Sequence, residues 1–164
     1  MQATAGGIKM IRHNKILVPF DFSDQATESI RRAAVLAEKF DAELHLLHVL
    51  ESSLYFETDM VSVPPLDKVE HAVHEGAEHR LNAVVEQFDF DVVVHIKEAG
   101  GDPSRFICSF AKALPADLIV IGRHGEKGLI EHMLKGSTSE RVVAHAPCSV
   151  LVTVSHDLLE DGET

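Results

Sequence analysis

Apolar residues fall along this chain in short dense runs, and the stretches between them are amphipathic. Residues 15–20 (KILVPF) are almost continuously apolar, which predicts a strand buried on both faces. Pro19 cannot donate to a sheet ladder, so it belongs at the strand's end. Ser23 and Asp24 then offer capping oxygens, and Ile30, Ala33, Ala34, Ala37 and Phe40 recur behind them at helical spacing. A second apolar run, 43–50 (ELHLLHVL), follows. Strand, helix and strand within about 35 residues make a parallel crossover unit.

The pattern breaks at 51–66, where Ser52, Ser53, Pro64 and Pro65 predict a flexible surface loop. Residues 67–88 are polar with an apolar stripe at Val69, Val73, Ala77, Leu81, Val84 and Val85, a long amphipathic helix. A third strand is predicted over 92–96. Asp102 and Ser104 open another helix, with Pro103 in its first turn and Phe106, Ile107, Phe110 and Leu114 facing the core. Residues 117–121 (DLIVI) predict a fourth strand, 137–145 a helix, and 149–154 a fifth strand. Strands alternating with helices specify an α/β fold: a single domain, 15–154, whose parallel sheet is sandwiched by helices. Residues 1–14 read as an N-terminal extension and 155–164 as a frayed acidic tail. Ligands of such sheets bind beyond the carboxyl ends of the strands, so the segments after Phe20, Leu50, Lys97 and Ile121 are the ones to inspect.

Charge narrows the partners. Among 164 residues, 26 are acidic and 15 basic, a formal charge of -11. That balance disfavours general binding to nucleic acid or to an anionic membrane. No stretch approaches the ~20 apolar residues that span a bilayer, and 1–14 lacks the apolar run of a signal peptide, so a soluble, cytoplasmic protein is expected. Cys108 and Cys148 are too few for a disulfide framework and are expected as reduced core thiols.

Candidate chemistry follows the fourth strand. Gly122, Arg123, His124 and Gly125 come directly after it, and Gly136, Ser137 and Thr138 open the next helix. Glycines there admit a bulky anion close to the backbone. A helix start offers free N–H groups and hydroxyls at the positive end of its dipole. Arg123, His124, Lys127 and Lys135 add positive charge. The same residues also fit a simpler account, in which the glycines turn the chain and Ser137 caps a helix in a capping box with Glu140. The segment is not a Walker-type loop, and no Gly-x-Gly-x-x-Gly follows the first strand. His74 and His79 are five residues apart, which puts them on different sides of a helix and fits a solvated face better than a metal site. His45 and His48 read as hydrogen-bonded packing residues on opposite faces of a strand. The end of the third strand offers no phosphoacceptor Asp of the response-regulator kind.

KILVPFDFSD at 15–24, LHLLHVL at 44–50, GDPSRFI at 101–107, DLIVIGRHG at 117–125 and GSTSERVVAHAPCSVLV at 136–152 resemble universal stress protein segments, in the family's order. Nucleotide-binding members carry Gly, two residues, Gly, nine residues, Gly, then Ser or Thr. Gly122, Gly125, Gly136 and Ser137 match, except that ten residues separate Gly125 from Gly136 here. The resemblance implies a Rossmann-like sheet of order 3-2-1-4-5 and a site for ATP or a related nucleotide, together with a divalent cation such as Mg2+. It implies Asp21 near ribose and adenine, Pro19 beside them, and the backbone of Val49 against the base. Gly122, Arg123, His124 and Gly125 would border the phosphates, and Gly136, Ser137 and Thr138 would hold them. A homodimer through the last strand is implied as well. Three functions compete: a nucleotide-binding regulatory module, a stress protein of the same fold acting only through protein contacts, and a slow ATPase. The expectation is binding with at most slow hydrolysis.

Overall fold

The computed structural model describes residues 14–51, 66–123 and 137–154. The expected acidic tail lies outside the described residues, as do the extension and loop apart from their edges, and so do His124, Gly125 and Gly136. In chain order the elements are β1 (Lys15–Pro19), α1 (Asp24–Phe40), β2 (Glu43–Glu51), α2 (Leu66–Val85), β3 (Val92–Ala99), α3 (Pro103–Ala113), β4 (Leu118–Gly122), α4 (Thr138–His145) and β5 (Ser149–Thr153). All five strands pair in parallel, in the order β3-β2-β1-β4-β5. The order reverses between β1 and β4, so the crossovers leave on opposite faces there and a crevice opens above those two strands.

Alternation along the strands divides the core into two layers. Ile16, Val18, Leu44, Leu46 and Val120 pack with Ile30, Ala33 and Ala37 of α1 and Leu81 of α2. Leu17, Leu47, Ile119 and Ile121 pack with Ile107 and Ala111 of α3 and Val142 of α4. The alanines of α1 bring that helix close to the sheet. At the amino end, Asp117 Oδ2 accepts from the N–H groups of Asn14 and Lys15 at 2.8 and 3.1 Å, clamping the start of β1 to that of β4.

Some expectations shift. Phe40 and Val73 are 43% and 40% exposed and stand outside the core. Phe40 is the last residue of α1, where Asp41 turns the chain at φ 53, and Ala77 is the first buried residue of α2 among those whose side chains are described. β3 runs to Ala99 rather than Ile96, because its pairing with β2 continues to Glu51. Lys97 and Glu98 hid that extension: β3 is an edge strand and tolerates polar residues.

His45 is buried within β2, yet fully partnered. Its Nε2 lies 3.1 Å from Glu43 Oε2 and its Nδ1 3.0 Å from His95 Nε2. The hydrogen bond from His45, reinforced by Lys15, holds the Glu43 carboxyl below its ordinary range. An ionised carboxylate only accepts, so His45 carries its proton on Nε2 and takes the His95 Nε2–H on Nδ1. Burial, with His45 and Lys97 adding to it, lowers the pKa of His95 from its ordinary 6.5. The folded protein therefore resists protonation that the unfolded chain accepts. Stability from this group is complete above about pH 6.5 and is lost as the pH falls through the folded value. Urea unfolding should give a free energy that declines from about pH 7 to pH 5. His95→Phe, which keeps a ring against Phe110, should flatten that decline. An unchanged slope in the variant would assign the effect elsewhere.

Candidate functional site

β1 gives out at Pro19. Phe20 N–H still donates to Leu47 O at 2.9 Å, and the chain then leaves the sheet. Phe22 takes up φ 66, a left-handed conformation that costs a non-glycine residue about 1–2 kcal/mol. Its ring is held edge-on to Phe20 at 5.3 Å and to His48 at 4.8 Å, with the Arg80 guanidinium 3.7 Å above it. His48 Nδ1 donates to Phe20 O at 2.8 Å, which fixes the turn from the neighbouring strand. Asp21 Oδ1 accepts from Ser23 N–H and Oγ–H at 3.1 and 2.6 Å, and Ser23 Oγ caps α1 by accepting from Ala26 N–H. Leu47 faces its backbone groups towards β1. Val49, two residues on, points its own N–H and C=O the same way, past the end of β1 where the described chain has no strand.

Across the crevice, β4 ends on Gly122, whose absent Cβ would stand 2.9 Å from Gln25 Cβ and 3.2 Å from Gln25 C. The first turn of α1 rests directly on that backbone. Arg123 N–H donates to Thr153 O at 2.9 Å, and Arg123 O accepts from Ser139 Oγ–H at 2.6 Å, so β5 and α4 are both tied to the end of β4. Thr153 and Ser29, both buried, join hydroxyls at 2.6 Å, and Ser29 donates to Gln25 O at 2.8 Å. Ser137 caps α4: its Oγ accepts from Glu140 N–H, and its own N–H donates to Glu140 Oε2, both at 3.3 Å. The capping box expected as the simpler account of Ser137 is present.

α3 begins at the same end. Asp102 caps it, accepting on Oδ1 from Ser104 N–H and Oγ–H, while Oδ2 takes Arg141 Nη1 at 3.0 Å. Burial works against the Asp102 carboxylate, but the Ser104 bonds and Arg141 outweigh it and lower its pKa. The pair draws the starts of α3 and α4 together. Three helix N-termini therefore converge on the carboxyl end of the sheet, each with N–H groups that lack an intrahelical acceptor. Burial raises both Cys108 and Cys148 thiols, which suits packing better than nucleophilic chemistry. A concavity of about 690 Å³, lined by Asp41, Phe88, Asp89, Phe90, Asp91 and Val93, lies at the opposite end of β2 and β3 and shares no residue with this arrangement.

Pro19, Asp21, Val49, Gly122, Arg123, Ser137 and Thr138 thus all stand at one end of the sheet. His48, Gln25, Ser29, Ser139 and Thr153 build that end too and were not singled out as its residues. For Ser29 a signal existed. It falls with Gln25, Ala33 and Ala37 on the apolar stripe of α1, where a polar side chain requires a buried partner. Gln25 carried no comparable mark, because its importance lies in what Gly122 lacks.

The family model described as the universal stress protein family matches residues 12–154. A universal stress protein of Methanocaldococcus jannaschii is 33% identical over 141 residues, covering 85% of this chain and 81% of that protein. The structure of the universal stress protein UspA from Lactobacillus plantarum superposes with a TM-score of 0.68 at 32% identity, covering 87% of this chain and 99% of that one. A universal stress protein from Archaeoglobus fulgidus, solved in complex with dAMP, shares the fold with a TM-score of 0.56 at 22% identity, covering 87% of this chain and 98% of its own.

A side chain at 122 must push α1 away from β4. Gly122→Ala should destabilise the fold by about 1–3 kcal/mol, the usual range for overpacking. Urea denaturation of the two proteins checks this, and equal midpoints would show that α1 yields freely.

Proposed function

Because the chain belongs to the universal stress protein family, we propose that it binds an adenine nucleotide, ATP or a related one, and acts as a regulatory module in a stress response. The observation that carries this reading is the convergence of three helix starts on the β1/β4 crevice, where Gly122 lets the first turn of α1 rest directly on the end of β4. The dAMP complex of the Archaeoglobus fulgidus protein, which has the same fold, supports it. In this reading Val49 reads the base through its backbone, and Asp21 and Pro19 flank the sugar. Gly122, Arg123, His124 and Gly125 border the phosphates, and Gly136, Ser137 and Thr138 hold them. A Mg2+ ion would take most of its ligands from phosphate and water. Among the described residues no group of three or more His, Cys, Asp or Glu side chains is arranged to hold a metal.

N–H groups and hydroxyls hold ground-state phosphates about as well as a transition state, so hydrolysis is at most slow. A second reading, the same fold acting only through protein contacts, draws on the Ser137 N–H being already bonded to Glu140. We place the protein in the cytoplasm, where its two partly buried cysteines stay reduced. We assign the β5 edge, with Leu151 38% and Val152 41% exposed, to a homodimer.

Two measurements test this. Mass spectrometry of the denatured protein should release a co-purified adenine nucleotide, and Gly136→Val should weaken its binding at least about tenfold, 1.4 kcal/mol, in titration calorimetry. Equal affinities in two folded proteins would remove Gly136 from the site. For the dimer, Val152→Lys puts a charge into the paired edge and should shift light scattering from dimer towards monomer. A monomeric wild type at the same concentration would dismiss the assembly.

A further inference from the structure

The loop after β1 is closed on itself. Asp21 Oδ1 accepts from Ser23 N–H at 3.1 Å and from Ser23 Oγ–H at 2.6 Å, and the ring made by the first bond runs through the backbone of Phe22. The position of the Asp21 carboxylate and the φ of 66 at Phe22 are therefore one conformation. A phenylalanine enters that region against a clash between its Cβ and the following carbonyl, so contacts from outside the loop must favour it. Phe20 and His48 meet its ring edge-on from the sheet, with ring centres 5.3 and 4.8 Å away. A different element covers the face: Arg80 of α2 holds its guanidinium 3.7 Å from the ring centroid. Ala77 and Leu81, both buried, seat α2 at that level, while Arg80 itself is exposed. A cation over an aromatic face is attracted by the ring's quadrupole, and the attraction is realised only where the backbone brings the ring beneath it.

We propose that Arg80 is a positioning residue for nucleotide binding: through the face of Phe22 it holds the Asp21 loop in the conformation that binds, without touching the ligand. The inference rests on the nucleotide reading above and adds to it a residue of α2, a helix outside the crevice. Without the guanidinium, the loop spreads into conformations in which φ at Phe22 is negative and the Asp21–Ser23 ring opens. The apparent affinity then falls with the fraction of molecules that keep the loop closed.

Three substitutions isolate this role. Arg80→Met keeps the apolar stem and removes the charge, and Arg80→Lys keeps a cation that can stand over a ring. Phe22→Gly removes the need for support, because glycine adopts positive φ freely. Titration calorimetry of the full chain with ATP in Mg2+ buffer, and with AMP, is the test. Arg80→Met should weaken binding about threefold to fivefold, the loss expected of an exposed cation–π contact, and Arg80→Lys should recover most of it. Added to Phe22→Gly, Arg80→Met should cost less than about twofold, since the two residues act through one contact. Equal losses in the two backgrounds, no recovery with lysine, or no loss at all would each overturn the positioning role while leaving nucleotide binding in place. If the wild type binds neither nucleotide, the nucleotide reading fails, and this inference fails with it.

Discussion

A β-carbon at position 122 would stand 2.9 Å from Gln25 Cβ, and much of this end of the molecule depends on its being absent. β4 can then finish directly beneath the first turn of α1, which lets Ser29 in the second turn reach Thr153 at the end of β5. Thr153 in turn accepts from Arg123 N–H, and Arg123 receives Ser139 from α4. One missing methyl group thus sets the spacing of four elements. Displacing α1 would strand buried hydroxyls that have no access to water, at about 1–3 kcal/mol each.

In the proposed reading, that framework leaves little for charged groups to do at the site. The chain carries -11 overall, which repels an anionic ligand at a distance. At close range the sum of charges matters less than the direction of backbone dipoles, and three helix starts point the same way. The acids present there are mostly in use: Asp102 caps α3 and holds Arg141, and Asp21 accepts from Ser23. A carboxylate that accepts backbone N–H groups shapes the site more than it opposes an incoming phosphate. Glu140 does the same at the start of α4, where it accepts from the Ser137 N–H.

Much of the fold was legible because the sheet is parallel and covered on both faces. Buried strands such as 15–19 and 118–122 read as unbroken apolar runs, and helix starts announce themselves through Ser23, Asp102 and Ser137. Edges were harder. β3 carries Lys97 and Glu98 within its ladder, since one side of an edge strand meets solvent, and its end was misplaced by three residues. Exposed apolar residues misled in the opposite sense: Val73 and Phe40 kept the helical period while lying beyond the reach of the sheet. The site was legible in its glycines and hydroxyls but not in its contacts. Periodicity cannot show that Gly122 touches Gln25, a residue 97 positions away, or which acceptor a serine proton chooses.

His48 shows how a strand residue comes to shape the loop that follows a neighbouring strand. A carbonyl only accepts, so its 2.8 Å bond to Phe20 O requires a proton on Nδ1. The ring then stands where Phe22 packs edge-on against it, and Phe22 is held at a positive φ by that contact, by Phe20 and by Arg80. Holding Phe22 there directs the chain from Asp21 into the Ser23 cap, so the position of Asp21 over the crevice follows from packing two strands wide. Strain at one residue is tolerated because three neighbours favour the same turn. The conformation of this loop belongs to β2 and α2 as much as to its own sequence.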